Sequence, residues 1–262
     1  MTSQIAAAVD VALRMSRSPP VTVVFANGAY IAILTNWLAY ARAAGASNIL
    51  IMALDDETMA FARQAQLECV LLPPVETRNE LWGLRIEVFA ALSRAGVDFI
   101  HSDADAIWLR SPYASLFPTG VDLTFSQGTR WPNDIVDQWG FVLCCGLFSV
   151  RSGNGAVRFF EAVQRRMIVD DDDQAAVNRA FRDDAIVWRP DGAGQRREWN
   201  GRPFDIYPHN RIGRTANVKV ALLPHFQFPR LPEVPPDAIV CHPVGKEPMV
   251  ERLRRLGLWR DD

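Results

Sequence analysis

The chain has 262 residues, 49% of them hydrophobic and 22% charged, with a formal net charge of -2 at pH 7. Enough apolar side chain is present for a large core in one α/β unit, and the near-neutral balance, without a basic stripe or tail, excludes a general nucleic-acid or anionic-membrane surface. No apolar run reaches the roughly 18 residues of a membrane span, and Asp10 and Arg14 interrupt the amphipathic start too early for a signal peptide.

Residues 3–15 carry a helical pattern, with Ile5, Val9 and Leu13 four apart, and Pro19-Pro20 ends it. Val21 to Phe25 reads as a buried strand, followed by the turn Ala26-Asn27-Gly28. Tyr30 to Ala44 has helical length and stops at Gly45. Asn48 to Leu54 is a second strand. Asp55-Asp56-Glu57 stops it and suits the start of a helix over 57–66. Cys69 to Leu72 is a third strand before Pro73-Pro74. This alternation predicts a mostly parallel sheet flanked by helices.

Helix 78–94 places Leu81, Leu84, Val88 and Leu92 on one stripe, and Arg85 falls inside that stripe. Either the arginine snorkels or caps, or it reaches toward a diphosphate at the edge of the sheet.

The central stretch runs from Val97 to Arg110. Its apolar start ends in Asp103 and Asp105, which in extended chain point the same way and converge just past a strand end. Open α/β sheets bind ligands at such ends. Asp-x-Asp also occurs as solvated turns and helix caps. A convergent pair would take a hard divalent cation, Mg²⁺ or Mn²⁺, whose remaining positions are commonly filled by water and phosphate oxygens.

Beyond Pro112, Val121 to Phe125 is a strand, and 126–140 reads as a polar and aromatic loop suited to an acceptor. Phe141 to Val150 is again strand-like, with Cys144-Cys145-Gly146 leaving room for a ligand. Residues 154–169 form an amphipathic helix, and Asp170 to Asp172 then read as cap and dipole partner of the next helix. Residues 190–214, rich in Gly, Pro and Arg, read as loop. Near the end, Ile239 to Cys241 is a strand that delivers His242, with Gly245 and Lys246 in the same short loop and a helix over 247–258. A neutral imidazole for a metal, open backbone and a point charge for oxygens would suit a phosphate-gripping loop. Without repeats or a linker, residues 1–262 form a single unit, nucleotide-binding over about 20–112 and acceptor-side and catalytic over about 113–262. Cys69, Cys144, Cys145 and Cys241 lack CxxC spacing. They imply reduced thiols and a cytoplasmic protein with no structural zinc.

Several pieces together resemble the GT-A-fold glycosyltransferases of the nucleotide-diphospho-sugar transferase type, most closely the retaining enzymes of the family 77-like and family 8-like groups. They are Phe25-Ala26-Asn27-Gly28 with Asn36-Trp37, Ser102 through Pro112, Cys145 through Ser152, Asp173 through Asn178, His242 through Lys246, and Gly257-Leu258-Trp259. The resemblance runs over about residues 20–260. It implies a Rossmann-like GT-A sheet and Mn²⁺ or Mg²⁺ held by Asp103, Asp105 and His242. It further implies a base and ribose pocket at Phe25, Ala26, Asn27 and Ala104, and a diphosphate held by Arg85, Gly245 and Lys246. Asp173 and Gln174 match the motif beside the anomeric face of the transferred sugar. The implied partners are a nucleotide-diphosphate sugar, expected to be a UDP-sugar, and a sugar, peptide or small-molecule acceptor. One departure is that Cys144 stands where the family commonly has Asn.

Two other classes stay open at this point. A haloacid-dehalogenase-type phosphatase would use Asp103 as nucleophile and Asp171-Asp172 as its later acidic pair. A sugar-nucleotide-binding module without turnover would keep the same pockets. The missing GxxxxGK motif excludes a P-loop NTPase.

Overall fold

The computed structural model describes residues 1–15, 19–128, 130–189, 194–199 and 201–260. The elements in chain order begin with α1 (Ser3–Met15), β1 (Val21–Ala26), a 3₁₀ turn (Gly28–Tyr30), α2 (Ile31–Ala43), β2 (Ile49–Ala53), α3 (Asp56–Gln64), β3 (Glu68–Leu71), α4 (Arg78–Arg94) and β4 (Phe99–Ser102). They continue with β5 (Ile107–Trp108), α5 (Tyr113–Leu116), β6 (Leu123–Gly128), α6 (Asn133–Trp139), β7 (Val142–Val150), α7 (Asn154–Asp170) and α8 (Asp173–Asp183). The remainder is β8 (Val187–Trp188), β9 (Gln195–Trp199), β10 (Arg202–Ile206), β11 (Arg211–Arg214), β12 (Lys219–Leu222), β13 (Val240–Cys241) and α9 (Met249–Arg255).

The central sheet has nine strands in the order β3-β2-β1-β4-β7-β6-β12-β11-β8. Pairing directions make β7 and β11 run against all the others, so the sheet is mainly parallel, as expected. Helices cover both faces, and strand parity shows it. Val21 and Val23, with Leu50 and Met52, enter the core shared with α1, α4, α7 and α8. Val24 and Ala26, with Ile49 and Ile51, enter the core shared with α2, α3 and α9. Strands buried on both faces read as continuous apolar runs, which is why β1 and β2 stand out in the sequence.

Local signals place the helices. Asp55 caps α3 by accepting from Thr58 N at 2.8 Å, and its other oxygen accepts from Gly28 N at 2.6 Å. A side chain at Gly28 would displace the carboxylate of Glu57, which packs directly against the 3₁₀ turn. Thr77 and Glu80 form a reciprocal capping box at the start of α4.

Two stretches differ from expectation. The segment 126–140 is not one loop, because β6 continues to Gly128 and α6 occupies Asn133–Trp139. Within 190–214, residues 190–193 and 200 lie outside the described residues, while most of the rest is strand, with a short loop at 207–210. β9 pairs antiparallel with β10, and β11 joins the main sheet against β12 and β8. Backbone pairing holds these arginine-rich strands, and Arg196 and Arg197 remain exposed, so no apolar alternation marks them.

Candidate active site

The site forms where β4 meets the reversed β7. Ser102 of β4 pairs with Leu147 of β7, so the residues of β7 before Leu147 overhang the end of β4. A register shift against β6 between Phe125 and Ser126 swings Cys145 and Gly146 out of regular pairing. The carbonyl of Gly146 then accepts from Asp103 N at 2.7 Å. Asp103 and Asp105 converge through a turn, closed by Ala106 N donating to Asp103 O at 3.0 Å, and not through strand alternation. Two indoles hold that turn: Trp37 Nε1 donates to Ala106 O at 3.0 Å and Trp108 Nε1 to Ser102 Oγ at 3.2 Å.

His242 arrives from the far end of the chain. β13 pairs with β5 just past the turn, Cys241 opposite Ile107, and so delivers the imidazole to the carboxylates. His242 Nε2 is 3.2 Å from Asp105 Oδ1 and 4.0 Å from Asp103 Oδ2, and ligand atoms of the three residues all lie within 4.8 Å of one another. Octahedral ligands at 2.0–2.1 Å from one ion are about 3.0 Å apart when adjacent and about 4.2 Å when opposite. The His242 separations of 3.2 and 4.0 Å lie near these values, so the triad is a candidate site for one divalent cation. A Cβ at Gly146 would overlap the His242 ring and lie 2.5 Å from Asp103 Oδ2, so only glycine leaves this space open.

Behind the triad lies a charge relay in the core. Arg85 Nη1 is 3.4 Å from Asp103 and its Nε is 3.3 Å from Asp173, at ion-pair distance though not aligned as a hydrogen bond. Arg85 Nη2 also donates to Cys145 O at 3.0 Å and approaches His101 Nε2 at 2.8 Å. Burial and the neighbouring guanidinium push His101 down to about 4, so it is neutral. Its Nδ1 lies 3.2 Å from Val23 O, which accepts only, so the proton sits on Nδ1 and Nε2 accepts from Arg85. The 3.1 Å approach of Nε2 to Asp103 Oδ1 is then a contact between two acceptors, kept by the arginine between them. Burial favours a neutral Asp103, but Arg85 overrides it and holds the carboxyl well below its usual range. At Asp173 burial wins over Arg85 and raises the carboxyl to about 6.

The predicted residues distribute over two cavities that meet at Asp105. Phe25, Ala26, Asn27, Arg85, Asp103 and Ala104 line one of about 360 Å³, together with Tyr30 and Trp82, which sequence reasoning missed. Gln174, His242, Gly245 and Lys246 line the other, of about 310 Å³, together with Arg230. Asp173 is on neither wall; it is buried against Arg85. Asp172 caps α8 through Ala175 N at 2.7 Å, so it does not form the acidic pair a phosphatase would need beside Asp103. Asp170 is held by Arg166 and Arg179 instead of capping.

Arg230 and His101 carried no usable signal, because their partners are distant in sequence or buried. Arg230 Nη1 donates to Cys144 Sγ at 3.2 Å and approaches His242 Nδ1 at 2.7 Å. Burial alone would raise the Cys144 thiol, but Arg230 and His242 bring it down to about 7.

The fold and site define a nucleotide-diphospho-sugar transferase architecture. The family model of that description, nucleotide-diphospho-sugar transferase, matches residues 44–250, and the chain belongs to that family. Among solved structures it is similar to the bifunctional glycosyltransferase WbbM in its apo form, at 10% identity and TM-score 0.47, over 62% of this chain and 37% of that one. It is similar to the glycosyltransferase GlyE of Streptococcus pneumoniae at 12% identity and TM-score 0.42, over 63% and 44%. A third is an active-site mutant of LgtC, at 12% identity and TM-score 0.42, over 60% and 69%. The chain spans less than half the length of the first two. No curated protein matches it.

Proposed function

We propose that this chain is a metal-dependent glycosyltransferase that moves a sugar from a nucleotide-diphosphate donor, a UDP-sugar, to an acceptor hydroxyl with retention of anomeric configuration. The observation that carries the reading is the Asp103, Asp105 and His242 triad at the junction of an aromatic and a basic cavity. Phe25, Tyr30 and Trp82 offer flat apolar walls for base and ribose, and Lys246 offers a point charge to the diphosphate. A divalent ion on the triad would supply electrostatic stabilisation for charge developing on the leaving diphosphate.

The chain's own residues orient and balance charge. Arg85, committed to Asp103 and Asp173, fixes the metal-side carboxylate in its ionised form. Gln174 Nε2 donates to Trp131 O at 2.5 Å and its Oε1 accepts from Cys145 N at 3.4 Å, so this neutral amide, a weak nucleophile, holds the sugar-side wall in place. Asp173 lies behind that wall. Same-face attack therefore fits better than double displacement: the bond from anomeric carbon to phosphate oxygen breaks, the acceptor oxygen bonds to that carbon, and the acceptor's proton passes to the leaving phosphate. The four cysteines are free thiols, in keeping with a reducing compartment such as the cytoplasm. Among the described residues no helix is long and apolar enough to cross a membrane.

The test is thermal unfolding with UDP, GDP, CDP, TDP and ADP, each with and without Mn²⁺. A ligand at a hundred times its Kd stabilises by about 2.7 kcal/mol, or roughly 5–10 °C in a chain of this size. One diphosphonucleotide should stabilise only with metal, and Asp105→Ala should lose that increment. Full transfer activity in Asp105→Ala with added metal would overturn the reading.

A further inference from the structure

The basic cavity holds more positive charge than a donor diphosphate needs. Its walls include Asp105, Arg130, Trp131, Gln174, Arg230 and Lys246, and among the described residues Asp105 is its only carboxylate. Arg252 also reaches it, but its Nη atoms are spent on the carbonyls of Pro243, Gly245 and Glu247, where they brace the loop. Among the described residues Arg130, Arg230 and Lys246 form no ion pair with a carboxylate. A divalent ion together with Arg85 would balance Asp103, Asp105 and Asp173, and Lys246 with Arg230 would balance the two charges of a sugar-linked diphosphate. Arg130 remains uncompensated.

Its position gives that charge a use. Arg130 is exposed and adjoins Trp131, a residue 47% exposed at the same cavity. The pair is anchored at Trp131 and just downstream of it. Gln174 holds the Trp131 carbonyl, and Asp134 of α6 is bound by Arg179 at 2.9 Å and Arg182 at 2.8 Å, both from α8. An aromatic face beside a guanidinium, on an anchored segment, matches the apolar face of a sugar ring that bears an acidic group.

We infer that the acceptor is an anionic sugar, one carrying a phosphate or a carboxylate, bound between Trp131 and Arg130. The inference rests on the glycosyltransferase reading and specifies its second substrate.

Calorimetric titration tests it. Protein saturated with UDP and Mn²⁺ is titrated with glucose, glucose 6-phosphate and glucuronate. Both anionic sugars should bind about tenfold or more tightly than glucose, the gap should narrow at high salt, and Arg130→Glu should weaken only the anionic sugars, by about tenfold. Arg14→Glu on α1, an exposed site outside the cavity, should leave all three affinities unchanged. Equal affinity for glucose, or anionic binding indifferent to Arg130→Glu, would overturn the inference. A preference for UDP-glucuronate over UDP-glucose in place of one among the acceptors would also overturn it, by assigning the charge to the donor. Failure of UDP and Mn²⁺ to bind is seen before any sugar is added and counts against the transferase reading itself; the same titrations without nucleotide then still read the cavity's preference.

Discussion

Arg85 and Asp173, brought together from α4 and α8, stand 3.3 Å apart, with Asp103 3.4 Å from another nitrogen of the same guanidinium. One cation thus serves a buried carboxylate and one that faces the cavity with 31% of its side chain exposed. Arg85→Ala should destabilise the protein by about 3 kcal/mol, because it leaves Asp173 buried and unpaired. Adding Asp173→Asn should restore part of that loss. Urea midpoints of the two single variants and the double variant check it, and additive losses would show that the pair is not coupled.

Gly146→Ala places a methyl group against His242 and Asp103. Gly146 is not held at positive φ, so the strand itself tolerates the change. The expected cost is about 1–3 kcal/mol from overpacking, concentrated at the triad. Direct Mn²⁺ titration should find affinity lost while the unfolding transition stays cooperative. Unchanged Mn²⁺ affinity would mean that the ion does not use both residues.

Asn178 clamps α8 to β7 through one peptide unit on each side of the same residue: its Oδ1 accepts from Leu143 N and its Nδ2 donates to Leu143 O, both at 2.8 Å. Asn178→Ala strands a buried donor and a buried acceptor, for about 2–4 kcal/mol. Asn178→Asp should also destabilise, since a carboxylate cannot donate. Denaturant unfolding of the two variants distinguishes a lost hydrogen-bond pair from a lost volume.

His225 is buried, with neither ring nitrogen hydrogen-bonded among the described residues, and burial pushes it down to about 4 from 6.5. Above pH 6.5 neither folded nor unfolded chain protonates it. Between 6.5 and 4 the unfolded chain takes the proton first, so stability falls by up to about 1.4 kcal/mol per pH unit, about 3 kcal/mol in all. His225→Leu should flatten the stability profile in that window. An unchanged slope would assign the acid sensitivity to other groups, among them His101.

The sequence was most legible where local and long-range demands agree. Between Val21 and Ser102, β1, β2 and β4 are largely buried on both faces and the helices carry Asp55, Thr77 and Gly45 at their ends, so pattern located them. The triad was readable because Asp103 and His242 each directly follow an apolar strand and Asp105 lies two residues beyond the first. Legibility failed at β9 to β11, where arginine-rich strands are held by backbone pairing, and at α6, whose helix is short. It failed again at Arg230 and Tyr30, whose roles depend on chain segments far away in sequence.

The two-residue ribbon of β5 and β13 has one more consequence. It closes a loop that contains the whole second half of the sheet, and the triad straddles its clasp, with Asp105 before the loop and His242 after it. An ion bound there would act as a cross-link as well as a ligand, removing closure entropy from the unfolded chain much as a disulfide does. Chelation should therefore first release the C-terminal segment from the sheet, and limited proteolysis near His242 would report it before the core unfolds.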